Sequence, residues 1–199
     1  MIPVLYRDAH VLVVDKPAGV TTIPDRMGEP GLQQTLEADY GTKLWVVHRL
    51  DREVGGALVF ALDADTHRTL SMAFERHEVG KGYAALTEGP VPARSDHRWS
   101  NLLLRGKKRS YESPHGKPAV TEATYLGRHG DWLKWSLNPL TGRNHQLRVH
   151  LHQHGWPIVG DALYGATAPW PDGIALRSVR LVLPLQGGPK EITAPAPWA

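Results

Sequence analysis

The 199-residue sequence contains no cysteine. A disulfide framework, a thiolate nucleophile and a sulfur-ligated zinc site are therefore excluded. Long apolar runs are also missing: none approaches the ~20 residues of a membrane-spanning helix. The start, Met1-Ile2-Pro3-Val4, reaches Arg7 and Asp8 at once and lacks the basic and apolar segments of a signal peptide. A soluble cytoplasmic protein that does not associate with membranes is the expectation. Cofactor motifs are scarce as well. There is no Walker loop and no serine on a Gly-x-Ser-x-Gly elbow. Gly80-Lys81-Gly82 followed by Ala85 imitates a dinucleotide fingerprint, but it leads into a strand pattern where a helix would be needed to cradle a pyrophosphate. Chemistry in this chain is expected to use side chains alone, with no cofactor and no metal. Charge of either sign is not in large excess. A formal net charge of +3 and a pI near 9.2 suit a nucleic-acid partner without pointing to one.

What the chain has in abundance is turns. Gly and Pro make about 18% of it, against ~12% in average proteins, which favours many short strands over helical bundles. Val4 to Val14 reads as a strand pair, followed by a turn at Asp15-Lys16-Pro17-Ala18-Gly19. The apolar runs Leu44–Val47 and Ala57–Leu62 read as strands, with Gly55-Gly56 breaking the chain between them. Leu32, Leu36 and Tyr40 recur at helical spacing. So do Leu70, Ala73 and Phe74, in a helix between Asp65 and His77 whose start Asp63 or Asp65 can cap. Tyr83 to Leu86 alternates as a strand. From Val91 to Lys117 the chain turns polar and reads as an irregular, mobile loop centred on the basic run Arg105-Gly106-Lys107-Lys108-Arg109. Thr121–Leu126 and Trp132–Leu137 form a hairpin. Together these patterns indicate one α+β domain over residues 1–199, a mixed and largely antiparallel sheet with flanking helices and loops.

Two segments carry most of the functional signal. His48-Arg49-Leu50-Asp51 places a carboxylate in a loop between two buried strands, where its desolvation needs a cation to offset it. About a hundred residues later stands Thr141-Gly142-Arg143-Asn144-His145-Gln146-Leu147-Arg148-Val149-His150-Leu151, then Gly155-Trp156-Pro157-Ile158-Val159-Gly160-Asp161. Read as a helix from Asn144 to Gly155, this segment puts Arg148 on a polar face with His145 and His152. Read as a strand, it would line up His150, His152 and His154, which invites a metal-hydrolase reading that helical spacing opposes.

These segments, with Val11-Leu12-Val13-Val14-Asp15-Lys16-Pro17-Ala18-Gly19, Lys81-Gly82-Tyr83-Ala84-Ala85 and Gly116-Lys117-Pro118-Ala119-Val120-Thr121, resemble in order the RluA-type family of RNA pseudouridine synthases. The resemblance covers nearly the whole chain. It implies that Asp51 is the catalytic carboxylate, either attacking the substrate or assisting elimination from the sugar. It also implies that Tyr83 packs on the uracil and serves as a candidate base at C5, and that Arg148 keeps Asp51 charged. Arg49 would fill the space left by a flipped uridine, while Lys81, Arg143 and the run Lys107, Lys108 and Arg109 would hold phosphates. The implied partner is rRNA or tRNA, bound by a monomer that carries no small RNA-binding domain in front. The chain departs from the family pattern at Val54-Gly55-Gly56, where Thr-Ser-Gly is usual, at Trp156 and at Arg177-Ser178. A non-catalytic RNA-binding or RNA-chaperone protein on the same fold is the alternative, disfavoured because a binder has no need of a desolvated aspartate.

Overall fold

Short apolar runs bounded by glycine and proline become short strands, because neither residue lets a strand continue far without a bulge or turn. In the computed structural model, which describes residues 2–24 and 28–198, the order is β1 (Val4–Arg7), β2 (Val11–Lys16), α1 (Leu32–Tyr40), β3 (Trp45–Val46), β4 (Gly55–Ala61), α2 (Ala64–Glu75), β5 (Gly80–Thr87), β6 (Asp96–Arg105), β7 (Ser110–Glu112), β8 (Lys117–His129), β9 (Trp132–Pro139), α3 (Gln146–Gln153), β10 (Leu176–Leu185) and β11 (Gly188–Thr193), with a 3₁₀ turn at Ala162–Tyr164. This is an α+β fold on a largely antiparallel sheet. The chain divides into two compact units, one running up to Gly80 and including Ser178–Ala196, the other formed by Lys81–Arg177 and the residues from Pro197.

In the first unit the strands lie in the order β1-β2-β4-β10, with β11 on β10 and β3 on the end of β4. The apolar run of β2 is buried on both faces, and β4 is buried along its whole length. Helix α2 covers this sheet. Its stripe of Leu70 and Ala73 joins Val11, Val13, Ala57, Val59, Leu181 and Ile192 in one core. Asp63, one of the two caps expected, is the one used: its Oδ1 accepts from the Thr66 N–H at 2.8 Å. Helix α1 spans the expected residues and ends at Gly41 in the left-handed conformation.

Gly55-Gly56 does not break the chain; both residues belong to β4. The reason is steric. Gly56 has φ +112°, and a Cβ there would overlap the backbone carbonyl of Ser178, so glycine allows β10 to approach β4. The turn read at Asp15–Gly19 also starts later, since Asp15 and Lys16 complete β2.

In the second unit the order is β5-β9-β8-β6-β7. The segment expected to be irregular is largely strand. β6 pairs with β8 from Asp96↔Thr124 to Leu103↔Lys117, and the 106–109 turn is closed by a hydrogen bond from Gly106 N–H to Arg109 O at 2.9 Å. β6 alternates faithfully, but two of its inward positions are polar. His97 and Asn101 share a face with Trp99 and Leu103, and both are satisfied by hydrogen bonds, His97 to Arg94 O and Asn101 to His150 and Gln153. A hydrophobicity pattern does not register such a strand. The expected hairpin is present and longer, β8 to β9 around Gly130-Asp131.

The tight Gly56 contact gives a stability test. Gly56→Ala combines a forbidden φ with backbone overlap and is expected to cost about 3 kcal/mol in urea unfolding. Gly19→Ala, at φ +84° in open space, is expected to cost about 1 kcal/mol.

Candidate active site

In the first unit the His48–Val54 loop is tied down at every turn. β3 pairs with β4 only at Trp45↔Ala61 and Val46↔Phe60. One step further along, the His48 ring takes over as acceptor: its Nε2 receives the Val59 N–H at 3.2 Å, and the ring stacks on Phe74 at 4.4 Å. Accepting at Nε2 defines the neutral tautomer with the proton on Nδ1. Leu50 is buried, and both its backbone groups bond to the Thr22 hydroxyl, which accepts from Leu50 N–H at 3.3 Å and donates to Leu50 O at 3.2 Å. Beyond Asp51 the turn closes with Val54 N–H on Asp51 O at 3.1 Å. Arg52 and Gly19 bond reciprocally, Gly19 N–H to Arg52 O at 2.8 Å and Arg52 Nε to Gly19 O at 2.9 Å.

Lys16 completes this bracing, a place that the apolar pattern of β2 does not reveal. It is wholly buried, and its ammonium donates to Val20 O at 2.6 Å, Pro17 O at 2.9 Å and Arg52 O at 3.3 Å. Three N–H bonds meet three carbonyls, so the group is satisfied. Burial lowers its pKa to about 8, while the negative charges of Asp51 and Glu53 act to raise it. Lys16 is thus a cation within electrostatic reach of Asp51 in the same unit. In the sequence it stands in the Asp-Lys-Pro-Ala-Gly segment, Asp15–Gly19.

In the second unit the spacing of Thr141-Gly142-Arg143-Asn144-His145-Gln146 has a direct physical reading. The Gln146 amide is buried and fully used: Oε1 accepts from the Thr141 hydroxyl at 2.7 Å and from Arg143 N–H at 3.0 Å, while Nε2 donates to Val120 O at 2.9 Å and Thr121 Oγ1 at 3.0 Å. The turn before α3 is therefore locked to β8. Lys81 lies against that turn, donating to Thr141 O at 3.1 Å, and its pKa is lowered to about 8 by burial and by the charge of Arg143. Arg143 in turn donates from Nε to Pro118 O at 2.8 Å. Two cations expected at RNA phosphates are thus neighbours, in a setting that an anion would relieve. Tyr83, on β5, is half-buried and opposite Leu137 of β9.

Arg148 departs from the polar face given to it. Residues Gln146 to Leu151 of α3 are all buried, and Arg148 is 3% exposed. Its guanidinium forms a two-pronged pair with Asp161, Nε to Oδ2 at 2.7 Å and Nη2 to Oδ1 at 2.8 Å. Burial of the arginine is possible because Asp161, itself 1% exposed, meets the fork in the geometry a guanidinium prefers. Asp161 closes the Gly155–Asp161 segment, whose spacing by itself assigns it no partner. The His150 ring is engaged on both sides. Its two ring nitrogens face Thr121 Oγ1 and Asn101 Oδ1, both at 2.9 Å, and burial lowers its pKa to about 4, which keeps it neutral. Helical spacing turns His152 to another face, and no cluster of three or more histidine and carboxylate side chains is arranged for a metal among the described residues. The basic residues Lys107, Lys108 and Arg109 are exposed on the β6–β7 turn, and Arg49 is exposed beside Asp51. Asp51 and Arg49 therefore belong to one unit, and Tyr83, Lys81, Arg143, Arg148 and the 107–109 run to the other.

A family model described as RNA pseudouridylate synthase matches residues 10–153. The chain belongs to the RluA-type RNA pseudouridine synthases. Among its relatives are an RNA pseudouridine synthase of Zymomonas mobilis, 38% identical over 82% of this chain and 78% of its own length, and the dual-specificity RNA pseudouridine synthase RluA of Escherichia coli K12, 37% identical over 82% and 77%. Among solved structures, human RNA pseudouridylate synthase domain containing 1 superposes with a TM-score of 0.85 at 28% identity, covering all of this chain and 85% of that one. The synthase is accordingly an isomerase that modifies RNA, and none of its described helices is long and apolar enough to cross a membrane.

The depressed Lys16 has a pH signature. Between about pH 8 and 10.5 the folded synthase has released the Lys16 proton while the unfolded chain still holds it, so this group's contribution to stability rises with pH across that window and is lost again as pH falls through 8. Urea unfolding of wild type and Lys16→Met at pH 7 to 10 is expected to show the wild type gaining on the variant as pH increases. A constant gap would contradict the assignment.

Proposed function

We propose that this synthase isomerises uridines in structured rRNA or tRNA, with Asp51 as its catalytic carboxylate. The observation that carries this reading is the bracing of the His48–Val54 loop, which presents one carboxylate from a framework held by His48, Thr22 and Lys16. Such rigidity suits a group that must meet a reacting carbon. The dual-specificity name of the 37% identical Escherichia coli relative supports an RNA substrate with more than one acceptable context. In this reading residues 1–199 act as one catalytic domain, as a monomer and in the cytoplasm.

Uridine stacked within folded RNA must first be flipped out, at about a few kcal/mol. Arg49 takes the vacated space. Asp51 then starts cleavage of the bond between uracil N1 and the sugar C1′, by attack at C1′ or by assisting elimination. The freed uracil turns so that C5 bonds to C1′ as the Asp51–C1′ bond breaks, or as Asp51 returns the proton it took from the sugar; the C5 proton then leaves to a base and N1 takes up a proton, with Tyr83 packed on the ring and in the position of that base. Arg148, oriented by Asp161, supplies positive charge to keep Asp51 ionised. Lys81, Arg143 and Lys107 to Arg109 hold phosphates, which contributes affinity and little sequence reading.

Two measurements test this. Purified synthase incubated with RNA tritiated at uridine C5, as rRNA transcripts and total small RNA, is expected to release tritium, and Asp51→Asn is expected to abolish release. Salt-sensitive binding without release from any RNA would instead favour the non-catalytic binder. Replacing Lys107, Lys108 and Arg109 together by alanine is expected to reduce the slope of log affinity against log salt by about 2, from ~0.7 per lost single-strand phosphate contact. An unchanged slope would remove that turn from the RNA surface.

A further inference from the structure

The second unit contains a connection that the catalytic assignments leave unused. The 3₁₀ turn Ala162–Tyr164 starts directly after Asp161, with Tyr164 N–H on Asp161 O at 3.0 Å. One short turn therefore presents two groups to Arg148. Asp161 meets the edge of the guanidinium, and the Tyr164 ring lies under its face, 5.2 Å from Cζ to the ring centroid. At its other end the buried Tyr164 hydroxyl is engaged three times: it lies 2.9 Å from Ser110 N, 3.0 Å from Ser110 O and 3.0 Å from His145 Nδ1.

A phenol has one proton and two lone pairs. All three contacts are satisfied in one arrangement only, in which Ser110 N–H and a protonated His145 Nδ1 both donate to the hydroxyl and the hydroxyl donates to Ser110 O. His145 holds its place in this arrangement despite a left-handed φ of +54°, which a non-glycine residue adopts at a cost. Ser110 is buried and follows immediately on the exposed Lys107-Lys108-Arg109 turn, where β7 begins.

We propose that Tyr164 is a positioning residue that joins the basic β6–β7 turn to Arg148. Its hydroxyl holds the Ser110 peptide and its ring holds the guanidinium, so phosphate contact at the turn and orientation of Arg148 share a single rigid anchor. The inference rests on the reading above that the turn contacts RNA and that Arg148 serves Asp51. RNA seated on the turn stabilises the same arrangement that aligns the arginine, which makes maximal rate, and not affinity alone, depend on the turn.

The test variant is Tyr164→Phe, which keeps the ring and removes the anchor. In the ligand-free protein, the Arg148 Nε–H resonance in a 15N spectrum is expected to shift, and its exchange with water to quicken about tenfold or more. On the C5-tritiated transcript that wild type uses, its single-turnover rate constant, corrected for folded fraction, is expected to fall about five- to tenfold, the loss of one to two neutral hydrogen bonds. The triple alanine variant of the turn is expected to lower both affinity and maximal rate in the wild-type background, and affinity alone in the Tyr164→Phe background. Wild-type exchange of Arg148 Nε–H in Tyr164→Phe would overturn the positioning role, and so would turn effects that multiply unchanged across the two backgrounds. Failure of the Arg148 reading itself would appear separately, as an Arg148→Lys variant that keeps the wild-type rate.

Discussion

Desolvated positive charge is the constraint around which both units are organised. Lys16 and Arg148 are buried and Lys81 partly so, and each is met by its own acceptors: three backbone carbonyls for Lys16, the Thr141 carbonyl for Lys81, and the Asp161 carboxylate for Arg148. A buried cation without such partners would cost several kcal/mol. The partners are therefore held to narrow positions, and the loops that carry them inherit that order. This is why a chain with so many turns presents its chemistry from fixed geometry.

The three cations also differ in what they remain able to do. Lys16 and Lys81, both lowered to about 8, keep their charge near neutrality but hold it weakly, so an approaching anion strengthens it. Arg148 is committed geometrically by the Asp161 fork and the Tyr164 ring. A synthase that acts on polyanionic RNA has use for both kinds. Its net charge of +3 does not register this, because a sum over the chain does not distinguish buried cations from exposed ones.

Much of the architecture was legible beforehand. The periodicity of Leu32, Leu36 and Tyr40 corresponds to α1, and that of Leu70 and Ala73 to α2 with its Asp63 cap. Apolar runs located β2, β4 and the β8–β9 hairpin. The misreadings occur where a polar or small residue occupies an inward place. His97 and Asn101 line the buried face of β6 by hydrogen bonding to the backbone and to α3, and Gly55-Gly56 continues β4 where composition alone suggested a break. Arg148 is the same case in charged form.

The sequence by itself determined the family and the α+β class, because the order and spacing of His48–Asp51, Lys81–Tyr83 and Thr141–Asp161 are properties of the chain. Only the tertiary structure decided what each of those residues leans on. Lys16 under the Asp51 loop, Gln146 against β8, and the Asp161–Tyr164 turn around Arg148 are contacts between segments 13 to 36 residues apart. Their strength comes from exclusion of water and from directional hydrogen bonds, and neither exists until the chain is packed.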